Sequence, residues 1–304
     1  MTDARPTSIA LPFAAGCLGI ALFSVMDAIM KHLVLELGTY NALLWRTGLV
    51  AVMSGALWLA LRSPWPRGPV LRIHVVRGLV GSAMAVLFFW GLGRVPLAQA
   101  IALAFIAPLI ALFLAALLLK ERIERQAIFA SLLGIAGVAV IFVGQAEAEL
   151  GEAAFWGSLA ILASACLYAY NIILMRQQAQ VARPLEVAFF MSGVTTLSYL
   201  VAAPVLAVPP PAEYWPPIVA GALLAFGSLL LLAWAYARAE AQHLAPVEYT
   251  SFIWAMALGW LFFGEEVGWF TLAGAALIVV ACLIAASRKA PDVGAPAEAV
   301  PGAS

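Results

Sequence analysis

Asp27 lies in ALFSVMDAIMKHL (residues 21–33), and the twelve residues before it are almost all apolar. Arg46 lies in NALLWRTGLV (residues 41–50), inside another apolar run. A charge at lipid depth costs roughly 3 kcal/mol on insertion scales, so such groups face a cavity or a partner. Two readings of the pair stand. In one, Asp27 binds a substrate amine or a proton and Arg46 binds a carboxylate or locks an outer gate. In the other, they form a structural ion pair, with Lys31 and His32 among the headgroups.

Glu248 sits in LAPVEYTSF (residues 244–252). Pro246 suits the first turn of a helix, and a glutamate two residues later suits its positive end. Alternatively Glu248 is a site for a substrate amine or a coupling proton at the cytoplasmic mouth, with His243 and Tyr249 beside it. Tyr168 and Asn171 are three residues apart and share a helix face. They would suit an interior cavity, and Trp90, Trp234, Phe252 and Trp254 would line the same space. Aromatic walls with a few polar groups are what small-molecule sites generally use. Packing and interface anchoring are the competing account of these aromatics.

Other chemistries lack their residues. There is no Walker loop for ATP and no His/Asp/Glu cluster at metal-ligand spacing. No Ser–His–acid set is apparent. Cys17, Cys166 and Cys282 are odd in number and scattered through apolar segments, so they read as small packing residues rather than disulfides or ligands. No cofactor is expected. The 16 basic and 16 acidic residues give zero net charge, which offers no support for nucleic-acid binding.

The elements that must hold these residues are set by composition. Hydrophobic residues make up 64% of the 304 and charged residues 11%, whereas soluble domains run nearer 45–50% and about 25%. The chain therefore reads as an integral membrane protein. About 20 apolar residues cross the hydrocarbon core as a helix, and ten segments come close. They are 9–32, 42–61, 75–92, 97–119 and 127–143, then 154–175, 185–208, 218–236, 245–263 and 270–286. Strands are excluded because the runs are continuous rather than alternating. Pro108, in IAPLI, is expected to free a backbone carbonyl within the fourth span and kink it. Connections are short, and the Pro/Ala/Gly-rich tail is expected to be disordered.

With the N-terminus inside, 13 of the 16 Lys and Arg residues fall on the cytoplasmic side, all but Lys31, Arg46 and Arg94. Both termini are then cytoplasmic. An offset of 144 carries Trp90 to Trp234, Arg94 to Arg238 and Glu121 to Glu265 without a gap. The same offset carries Asp27 to Asn171, and brings Arg46 close to Met191. Repeated glutamates at helix ends suggest a structural role for Glu121 and Glu265. Five spans per half is an odd number, so the second copy enters the membrane from the other side. The expected fold is thus all-α, with ten transmembrane helices as two inverted-topology five-helix repeats around a central cavity. The expected boundaries are 1–146, 147–290 and a tail at 291–304.

These segments resemble the drug/metabolite transporter superfamily, specifically its EamA-type members. The likeness is carried by RGLVGSAMAVLFFWGLGRVPLAQAIALAFIAPLIALFLAALLLKERI (residues 77–123), by LAPVEYTSFIWAMALGWLFFGEEV (residues 244–267) and by VMDAIMKHL in the first span. The resemblance implies a secondary transporter of small metabolites rather than an enzyme. Members move amino acids, nucleobase derivatives, cofactors and toxic compounds. The similar layouts are exporters of amino acids, aromatic or other neutral ones, and uptake carriers for S-adenosylmethionine or riboflavin. Export of amino acids or related metabolites by alternating access is the preferred expectation, and uptake of a nucleoside-like or flavin-like solute is the alternative. The turns near Pro96 and Arg238 would close on either side. Asp27 and Glu248 are the candidate proton sites. The expected setting is a bacterial-type inner membrane, with a small-molecule substrate and lipid as partners and a monomer as the functional unit.

Overall fold

The computed structural model describes residues 10–62, 64–119, 125–148, 151–236, 238 and 241–286. Glu121, the tail at 291–304 and the side chain of His243 lie outside the described residues. Helices α1 (Ala10–Ala60), α2 (Pro69–Leu92), α3 (Leu97–Ala104), α4 (Ala107–Leu119) and α5 (Arg125–Glu147) form the first half. Helices α6 (Gly151–Ala179), α7 (Pro184–Leu200), α8 (Ala203–Leu206), α9 (Trp215–Tyr236), α10 (Ala241–Phe263) and α11 (Trp269–Ala286) form the second. No strand occurs among the described residues. Among the described residues, six helices are long and apolar enough to cross a membrane, and three shorter apolar helices span Leu185–Leu200, Val247–Phe263 and Trp269–Ala285. Large apolar side chains such as Leu59, Leu117, Val205 and Trp269 are strongly exposed, as a lipid-facing exterior requires.

Local chemistry sets the breaks. The first two expected spans are one helical stretch of 51 residues that folds back at Gly38, where φ is 76° and ψ is 157°. That conformation is strained for any residue with a Cβ. The third and fourth spans separate at residues 93–96, as expected from GRVP. The fourth span then divides at Phe105–Ile106, three residues before Pro108. Leu109 N–H bonds to the carbonyl of Ile106 rather than that of Phe105. The Phe105 carbonyl accepts the Cys282 thiol instead, at 3.3 Å. Cys282 therefore satisfies a backbone group freed within the membrane, a more specific role than packing. The seventh span is shorter than expected: α7 stops at Leu200, and Pro204, which has no N–H to give, lies at the start of the short α8.

Helix contacts recur in pairs. Ser228 Oγ of α9 donates to the Gly19 carbonyl of α1 at 2.8 Å, and Ser164 Oγ of α6 donates to the Met84 carbonyl of α2 at 2.9 Å. Residues 84 and 228 differ by 144, and residue 19 maps to 163, next to Ser164. Three other contacts join the two halves, and the second of them maps onto itself under this exchange. Ser54 and Ser192 share a hydrogen bond of 3.2 Å between α1 and α7. The rings of Phe105 and Tyr249, 144 apart, meet edge to face at 5.3 Å. Gly137 of α5 and Gly274 of α11 face each other's carbonyls so closely that a Cβ on either would lie within 2.7 Å of the other's oxygen. Helices in lipid gain by such close approach rather than by burying apolar surface from water.

Candidate functional site

Asp27 and Arg46 are brought together by the fold of α1 at Gly38. Asp27 is 3% exposed, and its Oδ1 has no hydrogen-bond partner. Arg46 is half-buried, and its Nε is likewise without a partner. No ion pair joins the two within 4.0 Å, which is not the direct contact that the structural ion-pair reading supposes. The Arg46 guanidinium sits 5.5 Å from the centre of the Phe89 ring, with Nη1 3.4 Å from Met26 Sδ. A thioether is a weak acceptor. Gly221 of α9 packs beside the Arg46 stem: a Cβ there would be in ordinary contact, 3.8 Å from Cδ. The Tyr199 hydroxyl, which donates to the Ser82 carbonyl at 3.0 Å, is within electrostatic reach of Arg46. Buried ionic groups with unfilled hydrogen-bonding capacity are costly. A ligand that offers an amine to the carboxylate and a carboxylate to the guanidinium would remove that cost.

The position equivalent to Asp27 lies in a second polar network. Asn171 is 4% exposed and accepts from Arg77 Nε at 3.2 Å. Arg77 also donates to Gln178 Oε1. Gln178 Nε2 pairs with His74 Nδ1 at 2.6 Å, and His74 Nε2 pairs with Glu186 Oε1 at 2.9 Å. The His74 ring stacks on Phe190 at 4.6 Å. Sequence reasoning assigned Arg77 to the cytoplasmic flank. It lies instead two turns inside α2 and is 8% exposed. Its position is 144 before Gly221. An arginine thus lies near each of the repeated Asp/Asn positions, Arg46 of α1 by Asp27 and Arg77 of α2 by Asn171, and both come from the first half.

A third cluster was missed in a different way. Lys31 was expected among headgroups, yet it is 4% exposed. Its Nζ donates to the Val95 carbonyl at 2.7 Å and pairs with Glu265. Glu265 Oε2 also accepts Leu97 N–H at 2.7 Å. The legible signal was spacing: Lys31 is four residues from Asp27 and follows the same helix face inward.

The other predicted residues scatter. Trp90 and Trp234 do not join the Asp27–Arg46 site. Arg94 covers the Trp90 ring at 3.6 Å and bonds to its carbonyl at 2.7 Å. Arg238 does the same to Trp234, at 4.3 and 3.3 Å. Glu248 is exposed and accepts the Tyr236 hydroxyl at 2.5 Å. Tyr168 is 37% exposed and lies within electrostatic reach of Glu248 and Arg77. Tyr249 packs on Phe105, and Phe252 packs against the apolar core. Two cavities lie apart from the Asp27–Arg46 pair, and the first of them borders the His74–Glu186 end of the second network. One of about 500 Å³ is lined by Trp58, Arg62, Arg183 and Glu186, and one of about 540 Å³ by Phe142, Gln145, Glu152 and Phe155.

Residues 11–143 and 155–287 each match the EamA-like transporter family. The pseudopaline exporter of Pseudomonas aeruginosa is 29% identical over 276 residues, covering 88% of this chain and 93% of that protein. The riboflavin transporter of Rhizobium johnstonii is 27% identical over 301 residues, covering 93% and 95%. The S-adenosylmethionine uptake transporter of Rickettsia bellii is 27% identical over 219 residues, covering 69% and 71%. A solved crystal structure matches in fold with a TM-score of 0.62 at 21% identity, covering 91% of this chain and 98% of that one.

Proposed function

The chain belongs to the EamA-like transporter family, a family of membrane transporters and not of enzymes, and we propose that it exports amino acids or related small metabolites by alternating access. The observation that carries this reading is the buried Asp27–Arg46 site, in which each group holds an unfilled hydrogen-bonding atom and neither neutralises the other. A substrate amine bonds to Asp27, and its carboxylate takes the Arg46 fork in a charge-assisted contact. The pseudopaline exporter among the relatives favours the outward direction. Asp27 doubles as the proton site if transport is proton-coupled, with Glu248 as the second.

The same reading supplies the setting. Two passes from α1, one from the broken α3–α4 and seven from the other long or apolar helices make ten membrane spans. The contacts that recur at an offset of 144 support two repeats, and five spans in each make them inverted. The protein lies in a bacterial inner membrane as a monomer with both termini in the cytoplasm, given the Lys/Arg distribution.

A second reading is favoured by the riboflavin and S-adenosylmethionine relatives. It is uptake of a flat, aromatic solute stacked by Phe89 and Tyr199 beside Arg46. Flux into proteoliposomes of purified protein separates the two. Labelled amino acids, riboflavin and S-adenosylmethionine are tested with and without a pH gradient, beside Asp27→Asn and Arg46→Gln. Amino-acid flux abolished by both substitutions supports export through this site. Amino-acid flux unchanged in both returns the pair to a structural role. Cofactor flux without amino-acid flux replaces the first reading by the second.

A further inference from the structure

Lys31 and Glu265 join parts of the molecule that must separate if the Asp27 site is ever to open at that end. Lys31 belongs to α1, its acceptor Val95 to the turn between α2 and α3 and the neighbouring Leu97 to the start of α3, and Glu265 to the loop after α10. The first two belong to one half of the chain and the third to the other. The loop is shaped to hold the carboxylate in place. Gly264 has φ of 62°, the left-handed region that favours glycine. At Gly259 a Cβ would lie 2.8 Å from Glu265 Oε2, so only glycine leaves the carboxylate its room. Asp27 is one helical turn from Lys31 on the same helix, so the ligand site and this junction move on one rigid element.

The other end of the molecule lacks the same lysine. Glu265 has its counterpart in Glu121, but Lys31 is replaced by Met175 at the offset of 144. Met175 is 41% exposed. We propose that Lys31 and Glu265 form an ionic latch that seals the Lys31 end of the transport path, and that its absence at the Met175 end biases the resting protein to be closed at the first and free to open at the second. The latch is buried, so its attraction is little screened by salt. Breaking it without a replacement leaves Lys31 buried and unpaired beside a half-buried Glu265. Opening is therefore coupled to the arrival of other charge on α1, which substrate at Asp27 supplies. The latch itself assumes nothing about which solute is carried, so its test stands apart from the flux measurement.

The test uses the full chain with its three cysteines replaced and a reporter, Ile29→Cys, beside Gly221 and one residue pair from Asp27. Intact right-side-out cells are labelled with a membrane-impermeant maleimide. Lys31→Met copies the Met175 end. Glu265→Gln removes the charge but keeps an oxygen for Leu97 N–H. Both variants should label faster by about 5-fold or more, the factor given by roughly 1 kcal/mol of lost closed-state stability. A second reporter, Ala130→Cys, is fully buried in α5 and checks folding. Faster labelling of Ile29→Cys alone, in both variants, supports the latch. Equal labelling of Ile29→Cys with and without Glu265→Gln overturns it. So does a matching rise at both reporters in both variants, since the pair would then be holding the fold rather than the path.

Discussion

Replacing Gly137 by alanine tests the crossing of α5 and α11, one of the close contacts between the two halves. The added Cβ would lie 2.7 Å from the Gly274 carbonyl, 2.7 Å from Ile278 Cγ1 and 3.1 Å from Leu277 Cβ. Ordinary contact begins at 3.4 Å, so the helices must part by 3.4 − 2.7 = 0.7 Å. None of the three obstacles is the free end of a flexible chain, since one is backbone and the other two are side-chain carbons one or two bonds from their own helix. Overpacking of this kind costs about 1–3 kcal/mol. Alanine also gains about 0.8–1 kcal/mol in a helix over glycine, and that gain would mask part of the clash. Gly193→Ala in α7 removes the ambiguity, because nothing lies within 4 Å of a Cβ there. The difference in stability between the two variants is then the clash alone. Purified protein in one detergent would be unfolded by heat or by increasing SDS, and the free energies compared. Gly137→Ala should be about 1–3 kcal/mol less stable than Gly193→Ala. Equal or greater stability of Gly137→Ala would refute the close crossing.

Other outcomes follow from the buried polar groups. Glu265→Ala should cost about 3–5 kcal/mol because it leaves Lys31 buried without its counter-charge. Adding Lys31→Met should recover more than half of that loss, and strictly additive effects in thermal unfolding would contradict the pairing. Gln178→Leu strands Arg77 Nη1 and His74 Nδ1 together, and should lower stability by about 2 kcal/mol or more. A loss under about 0.5 kcal/mol, the small effect usual for a solvent-facing position, would place that network in water. Trp90→Ala and Trp234→Ala remove cation–π contacts of about 0.5–1 kcal/mol each. Both should leave the flux of any carried solute within about half of the unaltered protein's, and a total loss in either would put the ring back in the substrate path.

Most of the architecture is legible in the sequence because the membrane imposes it. Every backbone polar group at lipid depth must be satisfied within its own segment, so continuous apolar runs read directly as helices. The breaks at residues 93–96 and near Pro108 follow from glycine and proline chemistry, and the repeat is visible in rare residues such as Trp90 and Trp234. The sites are less legible. Asp27 and Asn171 were found because a polar group in an apolar run is conspicuous in one dimension. Whether Asp27 pairs with Arg46 could not be read, since both readings place the same residues at the same depth. Trp90 and Trp234 were assigned to a cavity, but an arginine four residues along claims each ring.

The sequence by itself determined that this is a helical membrane protein built from two related halves, with a buried carboxylate on one of them. That much follows from composition, length and periodicity, which are properties of each segment alone. Only the tertiary structure decided which charges meet. Lys31 finds Glu265 across 234 positions, Arg77 finds Gln178 rather than the cytoplasm, and Asp27 and Arg46 lie close without closing on each other. Partner choice depends on the rotation and approach of helices from different halves. Those are fixed by small-residue crossings such as Gly137 on Gly274, where ångström-scale packing summed over many contacts sets the geometry that no single segment encodes.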